Sequence, residues 1–183
     1  CRMTLDDLSN VLASVVLDTG IDPLSVRGPF QISAGAEAGV LAVGGDHLTN
    51  DLAFGLKVPQ GRAEQLKIEN GSALVDDAVK GQTMNITSES GLPLNTVNLE
   101  HLRRIMAMRL EEIFQLIAHD LAPAGLLEYL RAGVFLCGGG ARIPEIARLA
   151  EQVLELPVTI GKTNSVSGLK STLDQPEFAT GIG

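Results

Sequence analysis

The chain has 183 residues and a mass of 19.3 kDa, the size of one ordinary domain or two small ones, and its 45% hydrophobic content is that of a globular chain. Its net charge of −8 and 3% aromatic content show neither the basic face of a duplex-binding domain nor an aromatic platform for stacking bases. No stretch reaches the roughly 18 consecutive apolar residues of a membrane-spanning helix, and no basic start with an apolar run marks a secretion signal. A beginning at Cys1 rather than Met, and an end on Gly183, lead us to expect a piece of a longer protein.

In chain order, Thr4-Leu5-Asp6-Asp7 reads as a capping-box-like helix start, and Leu5, Leu8, Val11, Leu12 and Val15 follow at helical spacing. Gly20 and Pro23 end that pattern, and residues 20–37 give no clean periodicity. Val40-Leu41-Ala42-Val43 predicts a short buried strand turning at Gly44-Gly45. Asp46 suits the N-cap of a helix through Leu48, Leu52 and Phe54, ending near Gly55. A second helix is expected from about Gly61 to Asn70, with Ala63, Leu66 and Ile68 as its apolar face and Gly71 as its C-cap.

The texture then changes. Thr83–Thr87 and Leu92–Val97 alternate polar and apolar residues, which predicts a small antiparallel sheet with one wet face. Asn98 caps the longest helix. Its stripe is Leu99, Leu102, Ile105, Met106, Leu110, Ile113, Leu116, Ile117 and Leu121, with Glu100 and Arg104 as an i,i+4 pair. Val134-Phe135-Leu136-Cys137 is an apolar strand followed by three glycines and then Pro144 in the first turn of a helix to about Leu156. Val158-Thr159-Ile160 is a last strand, Ser165–Pro176 is loop-like, and a further helix starts at Pro176. Strand, glycine turn, helix and strand make the βαβ idiom of a mostly parallel sheet.

Three features can carry chemistry. Gly138-Gly139-Gly140, between strand and helix, allows close ligand approach and offers N–H groups to an anion, but a tight turn explains glycines equally well, and the spacing fits neither the P-loop nor the dinucleotide fingerprint. Glu64 and Lys67 share a helix face, suited to a sugar hydroxyl and a ring edge, or simply to a solvated pair. Gly44-Gly45-Asp46-His47-Leu48-Thr49 needs no function beyond capping. His47, His101 and His119 have no metal-ligand spacing. Cys137 reads as a small buried hydrophobe, and two cysteines suit a reducing cytoplasm. No Ser/His/Asp grouping or carboxylate pair argues for a hydrolase.

Taken in order, Val43-Gly-Gly-Asp-His-Leu-Thr-Asn-Asp-Leu-Ala53, Ala63-Glu-Gln-Leu-Lys-Ile-Glu-Asn-Gly-Ser-Ala73, Leu136-Cys-Gly-Gly-Gly-Ala-Arg-Ile-Pro144, Leu156-Pro-Val-Thr-Ile-Gly161 and Pro176-Glu-Phe-Ala-Thr-Gly-Ile-Gly183 resemble the second half of the FtsA family, over residues 40–183. These are bacterial cell-division proteins of the actin and heat-shock-chaperone ATPase superfamily. The resemblance implies an α/β, actin-like (ribonuclease H-like) fold, of which this chain is the second lobe. Residues 1–60 and 132–183 would be its large subdomain, and 61–131 an inserted smaller α+β subdomain.

The resemblance also implies ATP with Mg bound in the full-length protein, with Glu64 and Lys67 on the helix that contacts adenosine. Gly138, Gly139 and Gly140 would lie beneath the nucleotide, with Ala141 and Arg142 beside them. It implies self-association into filaments and capture of the FtsZ C-terminal tail by the helix Leu99–Leu121, with Arg103, Arg104 and Arg109 as exposed candidates. A cytoplasmic location at the inner face of the membrane follows, through a C-terminal helix missing here, with no nucleic acid among the partners. Two departures qualify this. The family's glycine-rich phosphate loop is matched only by Asp18 and Gly20 within Asp18-Thr19-Gly20-Ile21-Asp22-Pro23, where Pro23 removes an N–H. The first lobe is also absent, so the fragment alone is expected neither to hydrolyse ATP efficiently nor to bind membrane. The competing readings are a nucleotide-blind interaction module and an actin-like ATPase of the rod-shape or pilus-assembly branches.

Overall fold

The computed structural model describes residues 14–17, 41–87, 93–122, 133–161 and 175–176. The described elements are β1 (Ser14–Leu17), α1 (Gly45–Leu56), α2 (Gln60–Asn70), β2 (Thr83–Thr87), β3 (Pro93–Asn98), α3 (Leu99–Leu121), β4 (Val134–Cys137), α4 (Ile146–Leu154) and β5 (Val158–Ile160). The Asp18/Gly20 segment, residues 1–13 and the expected C-terminal helix after Pro176 lie outside the described residues.

One sheet has the order β1-β4-β5. β4 and β5 are parallel, in the register Val134↔Val158, Phe135↔Thr159 and Leu136↔Ile160, with α4 as the crossover. This is the anticipated βαβ unit. β1 was not anticipated: Val15, expected on a helix, sits in a strand antiparallel to β4, opposite Leu136. Ser-Val-Val-Leu is β-branched in its middle, and pairing with β4 outweighs the helical spacing. The converse error falls at 41–43. Leu41, Ala42 and Val43 form no strand; Ala42 is exposed, and Gly44 is consumed as the N-cap of α1.

The second sheet is the expected hairpin β2–β3, with Met84 opposite Val97 and a register shift at Ile86/Thr87. Ile86 and Val97 are buried while Thr83, Asn85, Thr96 and Asn98 are exposed, so one face is wet. Asn98 ends β3 and caps α3, its Oδ1 accepting from His101 N–H at 3.2 Å. At 1.5 Å per residue, the 23 residues of α3 span about 34 Å. Its buried stripe is Leu102, Met106, Leu110, Ile113 and Phe114. Phe114, absent from the expected stripe, is among the largest fully buried side chains.

α1 and α2 pack against each other, α1 also packs on α3, and α3 on α4. One buried cluster therefore joins Leu48 and Leu52 of α1, Leu66 of α2, Met106 and Leu110 of α3, Leu136 of β4 and Ile146 of α4. Two residues expected on apolar faces are outside it. Phe54 is 88% exposed and Ile68 72%. Phe54 is two residues, about 200° of helix, from buried Leu52, and Ile68 stands in the same relation to Leu66. Both therefore point away from the cluster. α4 begins at Ile146, not at Pro144, because Gly139–Arg142 forms a 3-10 turn and Glu145 takes a left-handed conformation (φ 63°) as N-cap.

Candidate functional site

α1 starts on extended Gly44, whose N–H donates to His47 Nδ1 at 3.1 Å. Asp46 is therefore a first-turn residue, favourable at the positive end of the helix, rather than the cap. The helix ends on left-handed Lys57, and Pro59 caps α2. So short a connection makes α1 and α2 a helical hairpin, and this brings two separate sequence features together.

Thr49 of α1 faces Glu64 and Lys67 of α2. Its hydroxyl lies 2.5 Å from Glu64 Oε2 and also within reach of the Gly45 carbonyl, at 3.1 Å. Lys67 Nζ donates to Thr49 Oγ1 at 2.8 Å and to the Gly45 carbonyl at 3.2 Å, and ion-pairs with Glu64 Oε2 at 2.6 Å. Thr49 is buried, the Lys67 side chain is 14% exposed and that of Glu64 42%. Burial acts to raise the Glu64 pKa, but the hydrogen bonds from Lys67 and Thr49, with the charge of Lys67, outweigh it and hold the carboxyl below its ordinary range. The expected Glu64–Lys67 pair is thus real and shares one face, but it is built into the α1–α2 seam. Thr49 is the member that sequence reasoning did not single out. The hairpin itself held a signal: Thr49 and Lys67 lie nine residues either side of Val58 at the turn.

The glycine turn follows β4. Gly138 has φ 91°, a conformation that favours glycine, and its N–H donates to the Pro176 carbonyl at 2.8 Å. Gly139 differs. It is exposed, lies outside the left-handed region, and a Cβ placed on it would meet nothing within 4 Å. Nothing in the described structure requires glycine there, while close approach by a ligand would. Ala141 is buried in the core, leaving only its backbone for a ligand; Arg142 is exposed. The expected helix N-terminus beside the glycines is absent, since α4 starts after Glu145, whose carboxylate pairs with Arg148 at 2.9 Å.

The two halves of the site are joined. After α2, Ala73 N–H donates to the Pro144 carbonyl at 2.9 Å, and buried Ser72 Oγ accepts from Leu74 N–H at 3.3 Å. The end of the Glu64/Lys67 helix is thereby fixed to the segment leaving the glycine turn. Cys137, half-buried rather than fully buried, has its thiol pKa pushed up by burial, against a hydrogen bond from the Gly161 backbone. Among the described residues no group of three or more His, Cys, Asp or Glu could hold a metal ion.

The three arginines of α3 differ sharply. Arg104 is 61% exposed and paired with Glu100 at 2.6 Å. Arg103 is mostly covered, its Nε donating to the Asn70 carbonyl at 3.2 Å beside Asp76. Arg109 is 29% exposed; it grips both oxygens of Asp51 on α1, at 2.5 and 3.0 Å, and Glu112 at 2.7 Å. The bond to Asp51 raises its pKa despite partial burial. The expectation of three exposed arginines is corrected to one; long-range partners cover the other two.

Residues 30–183 match the family model described as Cell division protein FtsA, starting ten residues before the sequence resemblance. The Cell division protein FtsA of Pseudomonas aeruginosa is 32% identical over 144 residues, covering 79% of this chain and 34% of that protein. That of Neisseria meningitidis is 32% identical over 145 residues, covering 79% and 35%. The chain thus spans about a third of the length of these relatives. Among solved structures, MreB5 of Spiroplasma citri bound to ADP aligns with a TM-score of 0.54 at 22% identity, over 78% of this chain and 44% of that one. The mixed α/β architecture is therefore actin-like, and the chain belongs to the FtsA family of cell-division proteins.

Proposed function

We propose that this chain is the second lobe of an ATP-binding, filament-forming adaptor that links the FtsZ ring to the membrane at the division site, facing the cytoplasm. The observation that carries the nucleotide part is the pairing of a held carboxylate, Glu64, with a glycine turn open at Gly139, the two joined through Ser72-Ala73 and Pro144. Glu64 suits a sugar hydroxyl, while Gly138, Gly139, Gly140 and the backbone of Ala141 and Arg142 lie beneath the phosphates. Mg would enter with the nucleotide, held largely by phosphate and water; no described residue is assigned to it. Asp18 and Gly20 remain the proposed phosphate-loop remnant.

In this reading, residues 1–60 and 132–183 form the nucleotide-side subdomain, and 61–131 the inserted one that receives the FtsZ tail along α3. Arg104 offers the exposed charge there; Arg103 and Arg109 act after release from, or alongside, their present partners. Titration of the full-length protein with Mg-ATP tests the proposal. Wild type binds, and G139V and E64A each weaken binding about tenfold or more, a change of roughly 1.4 kcal/mol. Unchanged affinity in both variants overturns the assignment. The second reading, a nucleotide-blind interaction module, is favoured by Pro23 in the remnant loop; absence of ATP binding by the full-length protein selects it.

A further inference from the structure

We infer that His47 is a positioning residue for the α1–α2 seam that works only while its imidazole is uncharged, so that the start of α1 loosens as pH falls through the range in which histidine takes up a proton.

The hydrogen bonds fix the tautomer. Gly44 N–H donates to His47 Nδ1 at 3.1 Å, and His47 N–H donates to the Gly44 carbonyl at 3.1 Å. The side chain thus closes a capping box in which histidine stands where glutamate or glutamine is usual. A backbone N–H always carries its hydrogen, so Nδ1 is bare and the ring proton sits on Nε2. A second proton goes to Nδ1, and the acceptor becomes a donor aimed at a donor. Gly44 is buried, so its N–H then loses its partner away from water, and the new positive charge stands at the positive end of α1. The His47 side chain itself is exposed, so protons reach it freely. Histidine as a residue type changes charge between about pH 5 and 8.

The surrounding charges do not offset this. On α1, Asp46 is the adjacent residue, and sequence neighbours do not face each other on a helix. Asp51, one turn on, would suit an imidazolium, but both its oxygens are held by Arg109 of α3, which also binds Glu112. From α2, Glu64 is held by Lys67 and Thr49. Gly45, the first residue of α1, gives the loosening its consequence. Its carbonyl accepts from Lys67 Nζ at 3.2 Å and from the Thr49 hydroxyl at 3.1 Å. The first turn of α1 is therefore an anchor of the seam that holds Glu64 and Lys67, and fraying of that turn releases it.

Amide hydrogen exchange of the full-length protein at about pH 7.5 and about pH 5.5 tests this. Rates are expressed as protection factors, so that the intrinsic pH dependence of exchange cancels. In wild type, protection across residues 45–50 falls roughly three- to tenfold at the lower pH, the loss of one cap. In H47Q, whose side chain keeps an acceptor that does not titrate, protection stays within about twofold. H47A is poorly protected at both pH values. Equal falls in wild type and H47Q overturn the inference, as does unchanged protection in wild type. A nitrogen-15 spectrum of the wild-type histidines at the higher pH serves where a variant does not fold. Nδ1 of His47 is then the bare nitrogen, and a proton found on it overturns the inference too. No nucleotide enters either measurement, so the result is independent of the ATP reading.

Discussion

The Asp51–Arg109 clamp predicts how strongly α1 and α3 are coupled. The guanidinium makes two charge-assisted bonds to one carboxylate across two helices, 58 residues apart in sequence. A fully buried charged hydrogen bond contributes about 1.5–3 kcal/mol, and an exposed ion pair about 0.2–1. Both side chains are near 30% exposed, so water screens the pair and the estimate falls between the two classes, at about 1 kcal/mol of coupling. A double-mutant cycle of D51A, R109A and both together, in the full-length protein, measures it. The readout is native-state amide exchange of α1 and α3, which gives local opening free energies. Arg104–Glu100 is the internal control, an exposed i,i+4 pair expected to couple by only about 0.3–0.5 kcal/mol. Coupling across the clamp no larger than in the control refutes the reasoning. The cycle also has a functional use. If α3 receives the FtsZ tail as proposed, R109A is expected to weaken tail binding partly by loosening α3, and D51A, which keeps Arg109, isolates that part.

Three more outcomes are expected. Because the folded Glu64 carboxyl binds its proton less tightly than the unfolded one, the stability from this shift is fully present above pH 4.5, the ordinary carboxyl value, and is lost as pH falls through the lower folded value. Unfolding of wild type and E64Q between pH 7 and about 3 should show the difference shrinking toward acid; a constant difference contradicts the pairing. G71A should destabilise by about 2 kcal/mol or more, since a Cβ there would meet the Lys67 carbonyl and come within 2.7 Å of Met106 Sδ and Cε. A melting temperature equal to wild type would sink that expectation. K57G should stabilise by up to about 1 kcal/mol, because left-handed Lys57 (φ 55°) carries strain that glycine does not; loss of stability in denaturant titration would count against it.

Where the sequence succeeded, the determinants were local. Asn98 as a cap, the alternation in β2 and β3, and the apolar run of β4 before its glycines each act over a few residues. Where it failed, the deciding contact was distant. β1 is a strand because β4 pairs with it, and Arg109 is covered because Asp51 lies across the helix seam. Phe54 and Ile68 were a different kind of miss. Their two-residue offset from Leu52 and Leu66 already placed them on the outer side, so spacing should have overruled hydrophobicity. At α4, left-handed Glu145 displaced the start, a conformation that no propensity for a glutamate foretells. In the candidate site the pair Glu64–Lys67 was legible from one helix, while Thr49 required the hairpin.

Gly71 has a mechanical consequence. With no side chain there, Met106 presses on bare backbone at the point where the Glu64/Lys67 helix ends. There is no compressible layer between that end and α3, and well-packed interiors deform little under load. The end of α2 and the flank of α3 meet like stones in a dry wall. A displacement of one helix end therefore arrives at the other undamped.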